Sequence, residues 1–154
     1  MSDVIDVLSK NGPHNKKFDG LASQLTRSLY ASQLGGLPVT KEVVRTMNIQ
    51  HVLSIKDPQT GEPIAASMVM RYPNGQYRVC GVAVDSAHKR KGYGTAIMRR
   101  IEALLPSESR LCLGVDKDKE ETQWLVDWYT ALGYERCSET HDEIIMAKFC
   151  SQKE

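Results

Sequence analysis

Metal-site and disulfide signatures are missing from this chain of 154 residues. Its four cysteines, Cys80, Cys112, Cys137 and Cys150, include no Cys-x-x-Cys pair, and no histidine stands at metal-ligand spacing. That pattern argues against a zinc centre or a disulfide framework, so no metal is expected, and reduced thiols in a cytoplasmic protein are the simpler reading. Charge of one sign is also scarce: 20 Lys and Arg against 19 Asp and Glu leave a formal net charge of +1. No global field of the kind that marks a nucleic-acid or membrane-surface binder results from this balance, so any recognition of a polyanion has to be local. No apolar run approaches bilayer length, and no basic segment followed by a long apolar one opens the chain, so neither a membrane span nor a secretory leader is expected. Repeats, low-complexity stretches and long linkers are absent too, and a hydrophobic content of 41% is enough for one sizeable core. A single domain over residues 1–154 is the economical expectation.

What is present is concentrated between Val82 and Met98. Val82-Ala83-Val84 is an apolar, strand-like run, Asp85 to Gly94 is a short basic turn carrying two glycines, and helical periodicity begins at about Tyr93. Gly92 and Gly94 allow backbone N–H groups to approach an anion closely, and a helix starting there aims its unsatisfied donors and positive dipole end at the same place. Lys89, Arg90 and Lys91 add charge to it. Taken alone, such a connection is often only a tight turn with a solvated basic face. Two nucleotide-binding loops are excluded by the residues themselves. Thr95-Ala96 follows Gly94 where a Walker A loop needs Lys-Ser/Thr, and Ile97 stands where a dinucleotide fingerprint needs a third small residue.

The rest of the chain alternates strand and helix patterns. Residues 3–8 read as a first strand, and leucines and Tyr30 at helical spacing predict a helix over 18–34 that ends at Gly35-Gly36. Thr40 opens a short second helix to about Met47. Strands are predicted over 49–55, 64–70 and 77–84, joined by turns at Asp57–Gly61 and Pro73–Gly75. Ile97, Ile101, Leu104 and Leu105 give the helix after the glycine turn one apolar stripe, with Arg99, Arg100 and Glu102 facing away. A strand over 111–115, a helix marked by Trp124, Leu125, Trp128, Tyr129 and Leu132 and stopped at Gly133, and two strands over 134–139 and 143–149 complete the order.

Lys89-Arg90-Lys91-Gly92-Tyr93-Gly94 resembles the acetyl-coenzyme A signature of the GNAT superfamily of N-acetyltransferases, Gln/Arg-x-x-Gly-x-Gly/Ala, with Lys89 at the position of the family's Gln or Arg. Trp128-Tyr129-Thr130-Ala131-Leu132-Gly133-Tyr134 is similar to a second family element, aromatic-Tyr-x-x-x-Gly-Phe/Tyr. The resemblance covers essentially the whole chain. It implies an α/β (α+β) fold, a mixed but mostly antiparallel twisted sheet of about seven strands flanked by about four helices, in the order β-α-α-β-β-β-α-β-α-β-β.

The same resemblance implies acetyl-coenzyme A as co-substrate and transfer of its acetyl group to a primary amine by direct attack in a ternary complex. The amides of Lys89, Arg90, Lys91, Gly92, Tyr93, Gly94 and Thr95 would hold the pyrophosphate, and the backbone of Val82, Ala83 and Val84 the pantetheine arm. An N–H near Val82 would stabilise the oxyanion, and Tyr129, by spacing alone an aromatic core residue, would protonate the leaving thiolate. Arg78 occupies the strand position where some members place a Glu base, and Thr122 the position of a frequent Asn. Asp116, Asp118, Glu120 and Glu121, interleaved with Lys117 and Lys119, read as a solvated loop. His51 reads as a partly buried strand residue and His88 as a neighbour of the basic turn. Acyl transfer through Cys80 or Cys112, a non-catalytic acyl-coenzyme A sensor, and nucleic-acid binding through residues 89–91 are the rival readings. No nucleic-acid or membrane partner is expected, and a monomer or homodimer is. The acceptor stays open between a small amine, a polyamine, an amino sugar and a protein lysine or N-terminus.

Overall fold

The computed structural model describes residues 5–10 and 46–150. The helices expected over 18–34 and 40–47 lie outside that range or at its edge. Seven strands form one sheet: β1 (Asp6–Ser9), β2 (Ile49–Lys56), β3 (Pro63–Arg71), β4 (Tyr77–Val84), β5 (Arg110–Asp116), β6 (Glu135–Glu139) and β7 (Glu143–Phe149). Their order is β1-β2-β3-β4-β5-β7-β6, antiparallel throughout except for the parallel pair β4 and β5. The expected mixed, mostly antiparallel sheet is thus what forms.

The turns read from the sequence close their hairpins by the expected chemistry. Between β2 and β3 the Gly61 amide donates to the Asp57 carbonyl at 2.8 Å, and the Gln59 amide donates to Asp57 Oδ1 at 2.8 Å. Between β3 and β4 the Gly75 amide donates to the Tyr72 carbonyl at 2.9 Å, with Gly75 at φ +89°. Side chains that self-satisfy a turn in this way remove the need for any tertiary partner there.

Helices α1 (Tyr93–Leu104) and α2 (Thr122–Ala131) pack on one face of the sheet. Ile97, Met98 and Ile101 of α1 are fully buried there against Leu53, Val69, Val79 and Leu111. Met98 joins the stripe, whereas Leu104 is only partly buried. Strand alternation puts Ile49, Val52 and Met68 on the opposite face, where Met70 and Cys80 pack against them.

One expectation for the helices is corrected. Glu102 does not face away: its side chain is only 11% exposed, because it accepts hydrogen bonds from Tyr134 and Lys148 of neighbouring strand segments. Trp124 is 55% exposed and stacks its ring on Trp128.

The end of α2 explains one of the two motifs physically. The Tyr134 amide donates to the Tyr129 carbonyl and the Gly133 amide to the Thr130 carbonyl, each at 3.0 Å, with Gly133 at φ +103°. This is a Schellman termination, completed by the Tyr129 and Tyr134 rings meeting edge-on at 5.9 Å. Tyr-x-x-x-Gly-Tyr is therefore the sequence of a helix stop that seats Tyr129. A side chain at residue 133 meets both the left-handed backbone and Lys148 Nζ, 3.3 Å from where a Cβ would stand. Gly133→Ala is expected to cost about 1–2 kcal/mol, read as a lower urea midpoint at unchanged slope; an unchanged midpoint would show that the stop is relaxed.

Candidate active site

The site grows from a fork in the sheet. Strands β4 and β5 are in register only at Tyr77↔Leu111 and Arg78↔Cys112, and beyond that point β4 has no ladder partner on this side among the described residues. On its other side β4 stays paired with β3 up to Val84↔Ala65. The β3–β4 register slips between Val69↔Val79 and Ser67↔Val82, so that Cys80 and Gly81 together face Met68. Gly81 takes φ +101°, and its carbonyl accepts from Ser67 Oγ at 2.7 Å. A bulge of this kind bends the strand and re-aims the next residue, here Val82.

Past Val84 the chain makes a short 3₁₀ turn, Ser86–His88, capped by Asp85. The Asp85 carboxylate accepts from the Ala87 amide at 3.2 Å and contacts His88 Nδ1 at 2.9 Å; the His88 contact first, aided by the amide and against the opposing effect of burial, holds its carboxyl below the usual range. Arg90 (φ +65°) and Gly92 (φ +84°) then adopt left-handed backbone, and Gly92 caps α1 without any side-chain bond. Alternation of this sort gathers successive N–H groups into an anion-binding concavity, and the α1 dipole adds to it. Lys89, Arg90 and Lys91 are exposed, with no ion-pair partner among the described residues.

Trp128 ties this turn to α2. Its indole Nε1–H donates to Thr95 Oγ1 at 3.1 Å, and a Cβ on Gly94 would lie 3.2 Å from its ring and 3.6 Å from Val82 Cγ1. Val82, Gly94, Thr95, Trp128 and Tyr129 are thereby brought together from three elements. Tyr129 is 6% exposed, its ring lies 4.7 Å from that of Trp128, and its hydroxyl has no hydrogen-bond partner among the described residues. Burial pushes its phenol up to about 12.

Other candidates are structural. His51 Nδ1 lies 2.7 Å from Ser9 Oγ across the β1–β2 ladder, and burial lowers its pKa. Thr122 Oγ1 donates to the Asp116 carbonyl at 2.7 Å and accepts the Lys119 amide at 2.9 Å, organising the 116–122 loop. Lys117 of that loop pairs with Glu139 at 2.7 Å. Burial pushes the Cys80 thiol up to about 12 and raises that of Cys112, which keeps both as thiols at neutral pH and makes them poor nucleophiles.

One arrangement has almost no trace in the sequence. Arg78 Nη2 contacts Glu143 Oε2 at 3.1 Å and Oε1 at 3.4 Å, crossing β5 directly over Gly114. Burial lowers the Arg78 pKa, but the Glu143 carboxylate and Tyr72 more than offset it and leave it raised. The only local signal is a glycine inside an otherwise apolar strand.

Among the described residues no helix is long and apolar enough to cross a membrane, and no cluster of His, Cys, Asp or Glu could hold a metal ion.

The family model of the acetyltransferase (GNAT) domain matches residues 48–136. No curated protein sequence matches the chain. Among solved structures, the aminoglycoside 6'-N-acetyltransferase from Enterococcus faecium is similar with a TM-score of 0.66 at 14% identity, covering 98% of this chain and 99% of its own. The ribosomal-protein-S18-alanine N-acetyltransferase from Escherichia coli gives 0.64 at 16% identity over 98% and 97% of the two chains. The PaiA N-acetyltransferase from Thermoplasma acidophilum, in complex with coenzyme A, gives 0.62 at 15% over 97% and 99%. At these identities the likeness is one of fold.

Proposed function

Since the chain belongs to the GNAT acetyltransferase family, we propose that it is a cytoplasmic N-acetyltransferase, a single domain over residues 1–154, carrying the acetyl group of acetyl-coenzyme A to a primary amine. One observation carries this reading: β4 parts from β5 directly before a left-handed, glycine-bearing turn that opens a helix. A parted strand offers backbone groups to an amide-bearing arm, and the turn offers N–H groups to a diphosphate.

The residues fit such a co-substrate. Gly92 has open space where a Cβ would stand, so no described residue fills the concavity at that point. Amides from Lys89 to Thr95 hold the pyrophosphate, and the three exposed cations add attraction over it. The backbone of Val82, Ala83 and Val84 holds the pantetheine arm. The Val82 amide, re-aimed by the bulge, is the donor for the oxyanion that develops when the amine attacks the thioester. Bound acetyl-coenzyme A supplies the activated acyl group.

Tyr129 serves the departing sulfur. At about 12 it remains a phenol throughout the physiological range, and its hydroxyl, with no described partner, is free to donate as charge appears on sulfur. The raised thiols of Cys80 and Cys112 favour direct attack over an acyl-cysteine intermediate.

Calorimetry with coenzyme A is expected to show micromolar to submillimolar binding, weakened about tenfold or more by Gly92→Val, because a β-branched residue strains the left-handed turn. Thiol release from acetyl-coenzyme A across amine classes then decides between catalysis and a binding module. Binding with no amine-dependent release would favour the sensor; no binding at all would overturn both.

A further inference from the structure

The Arg78–Glu143 pair stands at the fork, on the face opposite α1 and α2. Tyr77 and Val79 pack toward the helices, so Arg78 between them projects to the other side. Arg78 is the last β4 residue in register with β5, and Glu143 opens β7, opposite Asp116. Only a glycine lets these side chains meet across the central strand. A Cβ at residue 114 would strike the Glu143 carboxylate and lie 2.7 Å from Arg78 Nη2. Side-chain exposures of 22% and 27% leave the pair open to solvent on this face. It is not a closed fork: one guanidinium nitrogen touches both oxygens, whereas a carboxylate has roughly four lone-pair sites. Glu143 therefore keeps acceptor capacity.

We propose that Glu143 is the acceptor-binding carboxylate, receiving the ammonium of a cationic primary amine at the mouth of the fork, with Arg78 fixing it across Gly114. This rests on the acyl-transfer reading and names its acceptor class. The sheet then separates two duties. Tyr129 attends the thioester from the helix face, and the amine arrives from the other. A carboxylate delivered from β7 thus stands over Arg78, the strand position at which the sequence offers no acid.

The test uses benzylamine, an ammonium at neutral pH, and aniline, a neutral amine of similar size, titrated calorimetrically into the protein with and without saturating coenzyme A. Glu143→Gln is expected to weaken benzylamine at least tenfold and leave aniline unchanged, as loss of a charge-assisted hydrogen bond requires. Arg78→Gln moves the other way, tightening benzylamine about threefold or more, because the competing cation is gone. A pair that only braces the sheet would shift both amines alike in both variants, or neither. That outcome, or no heat from benzylamine in the wild type, overturns the assignment. Absence of coenzyme A binding or of thiol release instead strikes the acyl-transfer reading, since the amine titration without coenzyme A reads Glu143 by itself.

Discussion

Tyr129→Phe is expected to lower kcat for acetyl transfer by about 100-fold or more with little change in KM for either substrate, in line with loss of a group that acts in the transition state. The fold should survive it. The ring keeps its contacts with Trp128 and Tyr134, and the deleted hydroxyl bonds to no described residue, so no described partner is orphaned. The variant is therefore expected to lie within about 1 kcal/mol of the wild type in stability at neutral pH. Its pH behaviour supplies a second readout. The folded phenol titrates at about 12 and the unfolded one near ~10, so the native state holds its proton longer. The associated stability is fully present below pH ~10 and is lost as pH rises toward the folded value, at roughly 1.4 kcal/mol per pH unit. Alkaline melting curves of the variant should lack this component. Undiminished thiol release in Tyr129→Phe would remove Tyr129 from the chemistry.

Glu102→Ala is expected to be strongly destabilising. Its carboxylate accepts from Tyr134 Oη at 3.0 Å, Lys148 Nζ at 3.0 Å and Arg99 Nη1 at 3.2 Å. Lys148, 16% exposed, would be left with the Leu132 carbonyl at 2.9 Å and the face of the Tyr134 ring at 5.6 Å. Stranding a largely buried ammonium costs roughly 3–5 kcal/mol, which for a chain of this size lowers Tm by about 10 °C or more. Removing both charges together, as in Glu102→Leu with Lys148→Met, should recover part of that loss, since no charge is stranded and only the Tyr134 hydroxyl loses its acceptor. Lys148 and Arg99 both reach the Leu132 carbonyl, so this network also holds the end of α2 behind Tyr129. Burial first, and then the charge of Glu102, raises the Tyr134 pKa and keeps it the donor. A Tm within 2 °C of wild type for Glu102→Ala would show that the network contributes nothing net.

Elements whose cause is local are legible in the residues themselves. The turns at Asp57–Gly61 and Pro73–Gly75 carry their own hydrogen bonds, the strand-turn-helix of residues 82–98 announces a left-handed glycine before a helix, and Gly133 marks a helix stop. Spacing misplaces Glu102, because a position on α1 says only which side of the stripe a residue occupies. The partners that bury it, Tyr134 and Lys148, arrive 32 and 46 positions later.

Sequence by itself determined the periodicities, the turn chemistry and the order of the elements, because each depends on side chains within one turn or one pleat of one another. Tertiary structure alone decided where β4 leaves β5, that Gly114 clears a path for Arg78 to reach a carboxylate 65 positions away, and that Trp128 clamps Tyr129 beside the glycine turn. Those contacts depend on register between distant strands, and register is settled by which faces are buried together.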